Sequence, residues 1–162
     1  MNYKLLWCIV LLVVLIFPAS ASMVSFLVVE TGLNEGIPVT QFGTLWEGGL
    51  MASFFDAGHI VTNSPILRML EKPEQDLTGS VRNDFNDAIT GGAEYFILGF
   101  LNYNLQGGTS NPVDILVKIY RTDSQELIYE QNFPAGRGRN QNEEYQFALN
   151  AGRIIISQIK DR

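Results

Sequence analysis

Residues 87–101 read DAITGGAEYFILGFL and lead from the end of a helix into a buried strand. The helix is indicated by four apolar residues at the spacing of one helix face: Val81, Phe85, Ala88 and Ile89. Gly91 and Gly92 then end it, and residues 93–104 form the long apolar run expected of a strand inside a sheet. This helix-to-strand unit predicts a sheet with helices packed on it.

The segments before this unit extend the same pattern. Residues 23–31 predict an opening strand that is buried on both faces. Residues 45–57 carry an apolar stripe typical of a helix, and residues 59–62 predict a short strand. Residues 64–70, which open with Ser-Pro, predict a brief helical turn.

The segments after it predict a hairpin and a last helix. Residues 113–120 and 127–133 are strands joined by a polar connection, and residues 142–160 form a helix with two acidic residues in its first turn. The predicted order is β-α-β-(α)-α-β-β-β-α. The fold class is therefore α/β (α+β), with a mixed four- or five-stranded sheet and helices packed mainly on one face.

The first 21 residues have the layout of a secretory signal peptide. Lys4 supplies a positive charge, residues 5–17 are an unbroken apolar run, and Ala19 and Ala21 are the small residues that a signal peptidase reads. The apolar run has 13 residues, whereas a stable bilayer span needs about 20. We expect cleavage between Ala21 and Ser22, with a permanent membrane anchor as the alternative.

Cleavage would leave residues 22–162 as one periplasmic or secreted domain with no stable membrane span. That domain has 10 basic and 17 acidic residues and no basic cluster, so nucleic acid is excluded as a partner. The single cysteine, Cys8, lies in the leader, so the domain has no disulfide, thiol nucleophile or thiolate metal site.

Residues 87–101 resemble the helix-to-strand segment A-x-x-x-G-A-D-Y-h-h-x-G-x-h of the curli-secretion and penicillin-binding-protein-activator lipoproteins, the CsgG/LpoB group. The amino-terminal domain of TolB has a similar fold. The hairpin resembles that group's strands around a D-x-x-x-G-E-h-h turn, here DSQELI at residues 123–128. The resemblance implies this fold and a role in envelope assembly, although the lipid-accepting cysteine of those lipoproteins is missing.

Few residues suggest catalysis. His59, the only histidine, follows Asp56, which could orient it as a general base, and Glu47 lies on the same predicted helix. Glu30, Glu35 and Glu47 could also supply a carboxylate pair for glycoside chemistry. The simpler interpretation is that these side chains are solvated, capping or locally bonded. A lone histidine predicts no metal site, and no motif predicts a cofactor.

Two sets of residues are candidates for binding a partner. Tyr95, Tyr103 and Tyr120 lie on predicted strands, where they are core on a covered sheet face and a partner surface on an uncovered one. Arg137 and Arg139 lie in a loop and could bind a carboxylate or phosphate of a partner, or be simply solvated.

Together these observations predict a non-catalytic module of the cell envelope that binds another envelope protein. The rival is a small periplasmic hydrolase or ligand-binding protein with a site near Glu47, Asp56 and His59. The sequence leaves open the identity of the partner and whether the domain forms homo-oligomers.

Overall fold

The computed structural model describes residues 21–33, 41–103, 112–134 and 139–160. Its strands are β1 (Met23–Thr31), β2 (Ile60–Asn63), β3 (Leu67–Met69), β4 (Tyr95–Tyr103), β5 (Pro112–Arg121) and β6 (Leu127–Pro134). Its helices are α1 (Phe42–Asp56), α2 (Gly79–Thr90) and α3 (Gln141–Lys160). The predicted leader before Ala21, as well as Glu35 and Arg137, lies outside the described residues.

The fold class is confirmed, with a mixed sheet that has six strands instead of four or five. The main order is β2-β1-β4-β5-β6, and β3 pairs with β1 beside β2. β1 runs parallel to β2, β3 and β4, whereas β4, β5 and β6 form an antiparallel meander. β1, β4 and β6 therefore run in one direction, and the end where they begin is also the end where β5 finishes.

The prediction of a helical turn at residues 64–70 is wrong, because residues 64–66 are irregular and residues 67–69 form β3. Leu67 and Met69 pair in parallel with Val29 and Thr31 of β1 and pack against its buried neighbours. The Ser-Pro signal for a helix start is local, whereas pairing with β1 satisfies the backbone and half-buries two apolar side chains.

Two of the three helices cover one side of the sheet, which we call the two-helix face. Here Trp46, Leu50 and Phe54 of α1 pack with Ile155 of α3 over strand residues such as Ile97. α1 and α3 run parallel, since Trp46 bonds to Glu144 near their starts and Ser53 lies against Gly152 further along.

The opposite side, the one-helix face, is covered by α2 and by the loop that precedes it. Phe85 of α2 packs edge-on against Phe96 and Tyr120, with ring centroids 5.2 Å and 6.3 Å away. In the loop, Asp76 accepts hydrogen bonds from the Tyr120 hydroxyl and from Lys118 Nζ, the latter at 2.7 Å. Within the described ranges, no helix is long and apolar enough to cross a membrane.

Candidate functional site

The three residues of the rival site do not converge. Glu47 and Asp56 are nine residues apart on α1, which separates them by about 13 Å along the axis and by half a turn around it. Glu47 accepts a hydrogen bond from Asn63 at 3.1 Å, and Asp56 is exposed in the last turn. His59 is half-buried, with its ring 5.6 Å from that of Phe54. This geometry does not support a shared catalytic site.

The three candidate tyrosines belong to the core more than to a surface. Tyr103 and Tyr120 are each only 6% exposed, and their hydroxyls bond to Glu30 and Asp76 respectively. Tyr95 is half-buried against the two-helix cluster. Both faces of the sheet are covered. These rings are therefore core residues, and they do not form an open partner surface.

Of the two candidate arginines, Arg139 lies within the described residues. Its side chain contacts other residues of this chain. Its Nε donates to Glu144 Oε2 at 2.7 Å, and its guanidinium stacks 3.8 Å from the centre of the Phe147 ring. The Glu144 side chain is fully buried and also accepts a hydrogen bond from Trp46 Nε1 at 2.7 Å. No local sequence pattern indicates this cluster, because Trp46 and Glu144 are 98 residues apart.

A second buried carboxylate, that of Glu30, lies where β1 ends. It is 1% exposed, forms an ion pair with Arg68 Nε at 3.0 Å, and accepts a hydrogen bond from Tyr103 at 3.3 Å. A Cβ on Gly43, at the start of α1, would stand 2.8 Å from Glu30 Oε1, so the helix start closely approaches the carboxylate. Glu30 thus has bonded partners on β3 and β4 and joins these two strands to β1.

The opposite end of the sheet gathers exposed apolar side chains. Phe55 and Ile89 lie in the last turns of α1 and α2, and Ile60 pairs with Met23 at the start of β1. Leu127 opens β6, and Ile154 lies on α3 level with Phe55 because Gly152 packs against Ser53. We call this surface the apolar end and define it by these five exposed residues: Phe55, Ile60, Ile89, Leu127 and Ile154.

The apolar end holds most of the large apolar side chains that are exposed in the described part of the chain. Only Leu70 and Val113 lie elsewhere, at the other end of the sheet. Phe55 is 67% exposed and Ile60 57%. Ile60 and Leu127 lie on the two outermost strands, four strand spacings apart, which gives the surface a width of about 19 Å.

The electrostatic character of the apolar end is negative. All three helices finish towards it, and each helix carboxyl end carries about half a negative charge. Exposed acidic side chains surround it at Asp56, Glu94, Asp123 and Glu126. Its basic neighbours are the exposed Arg121 and Arg153, and Arg82, which donates a hydrogen bond to Gln125 of the hairpin. A positively charged binding partner would therefore be favoured here.

A cavity of about 300 Å³ opens in the same region. It is lined by residues 92–95, where β4 begins, and by residues 121–123, where β5 turns towards β6. Glu94, Arg121 and Asp123 contribute charged groups to its walls. The Glu94 carboxylate also accepts a hydrogen bond from Ser22 Oγ at 2.9 Å.

The sequence pattern did not separate the exposed apolar residues from the buried ones. Residues 54 and 55 are both phenylalanine, and the predicted helix stripe placed both in the core, yet Phe54 is 1% exposed and Phe55 67%. α1 is apolar around its whole circumference except at a few positions, so periodicity alone cannot select its buried side. Among the described residues, no three His, Cys, Asp or Glu side chains gather as a metal site.

No protein-family model matches this sequence, and no curated protein matches it. Among solved structures, the chain is similar to PelC from Paraburkholderia phytofirmans, described as a dodecamer, with a TM-score of 0.49 and 13% identity over 88% of this chain and 91% of that one. It is similar to TolB from Acinetobacter baumannii, with a TM-score of 0.44 and 14% identity over 86% of this chain and 28% of TolB.

The C-terminal domain of LpoB from Escherichia coli is a third similar structure, with a TM-score of 0.39 and 14% identity over 72% of this chain and 83% of that domain. LpoB and TolB, which the sequence resemblance named, are therefore among the solved structures to which this chain is similar.

Proposed function

We propose that this chain is an exported, non-catalytic module that binds another protein of the cell envelope through its apolar end. The observation that carries the proposal is the collection of Phe55, Ile60, Ile89, Leu127 and Ile154 at one end of the domain. Exposed apolar side chains that gather on one surface with a polar rim are a feature of protein–protein interfaces.

Phe55 is the centre of the proposed contact. Its ring is the most exposed aromatic side chain among the large hydrophobic residues of the described ranges. Aromatic residues are enriched among those that dominate binding energy, because they offer a large rigid area at a small entropic cost. Ile154 lies at the same height on the neighbouring helix, where Gly152 faces Ser53. Phe55 and Ile154 are each two residues, about 200° around the helix, from these facing residues, so their side chains point away from each other.

The charge around this surface decides the kind of partner. Asp56, Glu94, Asp123 and Glu126, together with three helix carboxyl ends, would repel an anionic lipid surface and a second copy of the same end. They would attract a polypeptide that presents Lys or Arg beside apolar side chains. We therefore propose that the partner is a protein whose binding segment is both basic and apolar.

Site-specific photo-crosslinking in intact cells tests the proposal. A photoreactive phenylalanine analogue replaces Phe55 in one variant of the full chain and Leu70 in a matched control, since both side chains are 67% exposed but lie at opposite ends. We expect a defined adduct from position 55 that position 70 does not form. Mass spectrometry of the adduct should identify an exported protein crosslinked at a segment that contains Lys or Arg.

The adduct should also decrease when Ile60→Ser is added, while the melting temperature of the purified variant stays within about 2 °C of the parent, since this side chain is exposed. Equal adducts at positions 55 and 70 would contradict the proposal. Adducts with lipid, or with a second copy of the chain, would contradict the choice of partner.

A further inference from the structure

Ser22 is the last residue before β1, and it is held in place on both sides. It is 7% exposed, and its carbonyl accepts a hydrogen bond from Ile60 N at 3.0 Å on the neighbouring strand β2. On the other side its Oγ donates to Glu94 Oε2 at 2.9 Å, and Glu94 N donates to the carbonyl of Met23 at 2.8 Å. A residue next to a chain end is usually loose, so this fixation is notable at a predicted cleavage point.

From these contacts we infer that Glu94 is the binding site for the new amino terminus that signal cleavage creates at Ser22. This inference rests on the proposed export of the chain. Before cleavage, the nitrogen of Ser22 is a neutral amide in a peptide bond with Ala21, which is exposed. After cleavage it is an α-ammonium group with a positive charge and free N–H donors.

The geometry places this ammonium group close to the Glu94 carboxylate. Within one serine residue, Oγ and N stand about 3–4 Å apart, so the ammonium lies no more than about 7 Å from Glu94 Oε2. Glu94 is an exposed residue whose carboxylate can turn towards the nitrogen without breaking a core contact. An ion pair at the start of β1 then joins the first residue of the mature domain to β4.

The other charged groups near Ser22 are His59 before β2 and Arg121 and Asp123 at the β5–β6 hairpin. Pairing with Glu94 raises the pKa of the α-ammonium above its ordinary value of about 8. A group with a raised pKa in the folded state stabilises the fold at pH values below its ordinary pKa, and this contribution is lost as the pH rises through the folded-state pKa. The stabilisation should therefore be nearly complete at pH 7.5 and absent at pH 10.

The experiment compares two processed proteins, both produced from the full chain with its leader. One has the natural sequence, and the other has Gly-Ser inserted between Ala21 and Ser22, which moves the new terminus about 7 Å away. Mass spectrometry of each exported protein first identifies its amino terminus. We expect the natural form to start at Ser22 and to melt about 2–4 °C higher than the inserted form at pH 7.5.

Glu94→Gln should abolish this difference in melting temperature, whereas Glu126→Gln, which removes an exposed acid of the same region, should preserve it. The difference should also vanish at pH 10. A natural terminus other than Ser22, or an equal difference in the Glu94→Gln background, would overturn the inference. No partner takes part in these measurements, so their failure is distinguishable from failure of the proposed docking surface.

Discussion

Among single residues, Glu144 carries a buried carboxylate whose charge is stabilised by its bonds to neighbouring side chains. The side chain is fully buried and is shared between Trp46 and Arg139, which is itself 23% exposed at its side chain. We expect Arg139→Ala to lower the free energy of unfolding by about 2–4 kcal/mol, since it leaves a buried charge without its cation. Urea unfolding followed by circular dichroism measures this.

Adding Glu144→Gln to Arg139→Ala should recover part of that loss, because the remaining group is neutral and can still accept from Trp46. If Arg139→Ala is as stable as the parent, the ion pair has no structural role. In that case Arg139 would again be free to serve a partner, as its position in a loop first suggested.

Because the pKa of Tyr120 is raised in the folded state, the domain should lose stability at high pH. Burial, and then its hydrogen bond to Asp76, raise the pKa of Tyr120. Burial lowers the pKa of Lys118, but its interactions with Asp76 outweigh this, so that pKa is also raised. The stabilisation from both groups is present below pH 10 and is lost as the pH rises further.

Tyr120→Phe should therefore lower the free energy of unfolding by about 1.5–3 kcal/mol at neutral pH, from the lost hydrogen bond to a charged group. It should also make the decline of stability above pH 10 less steep than in the parent. Urea unfolding at pH 7, 10 and 11 checks both effects, and an unchanged slope between pH 10 and 11 would show that Tyr120 does not cause it.

Among the elements, the contact between α1 and α3 depends on small residues. A Cβ on Gly49 would stand 2.6 Å from Ala148 Cβ and 2.9 Å from two backbone atoms of α3, those of Tyr145 and Leu149. At Gly48 the nearest atom would be 3.6 Å away, on the ring of Tyr145. The close approach of α3 therefore leaves no room for a side chain at Gly49, whereas Gly48 has room for one.

Gly49→Ala should lower the free energy of unfolding by about 1–3 kcal/mol, because the helices must separate. Gly48→Ala should be neutral or stabilise by up to about 1 kcal/mol, since alanine is the better helix former. Thermal and urea unfolding of the two variants form a matched pair. If both substitutions stabilise the domain, the effect at Gly49 is set by helix propensity and not by the distance between the helices.

The sequence was informative about elements wherever a signal is local and periodic. The helix at residues 79–90 and the strand at residues 95–103 lie within two residues of their predicted bounds, because a one-sided stripe and a long apolar run each have one interpretation. The error at β3 and the burial of Glu144 have another origin. Each depends on a partner far away in the chain, namely β1 and Trp46, which no local pattern encodes.

The same limit applies to the candidate surface. Sequence alone left the strand tyrosines as either core or partner surface, since a sheet with helices on one side would have an open face, and it offered two loop arginines as the second candidate set. α2 and the Asp76 loop cover that face, and Tyr120 is buried beneath them. Exposed apolar area is therefore found at the end of the sheet, where elements finish, and that location follows from the tertiary fold.

For the whole molecule, the two core clusters should unfold together, because they share the same strands. Along β4, Ile97 belongs to the two-helix face whereas Phe96 and Leu98 belong to the one-helix face. Loss of either helix layer exposes one side of every central strand, so the sheet cannot persist with the other layer alone.

Trp46 makes this cooperativity measurable, since Trp7 lies in the predicted leader and Trp46 is the only tryptophan from residue 22 onwards. Its fluorescence reports on the two-helix face, and methyl NMR signals of Leu27 and Leu98 report on the other. Both probes should give the same urea midpoint, and Gly49→Ala should shift both equally although it alters only the two-helix side. Separate midpoints would mean that α2 and the loop before it form an independent unit, and the sheet would then lack the rigidity that a docking platform at its end requires.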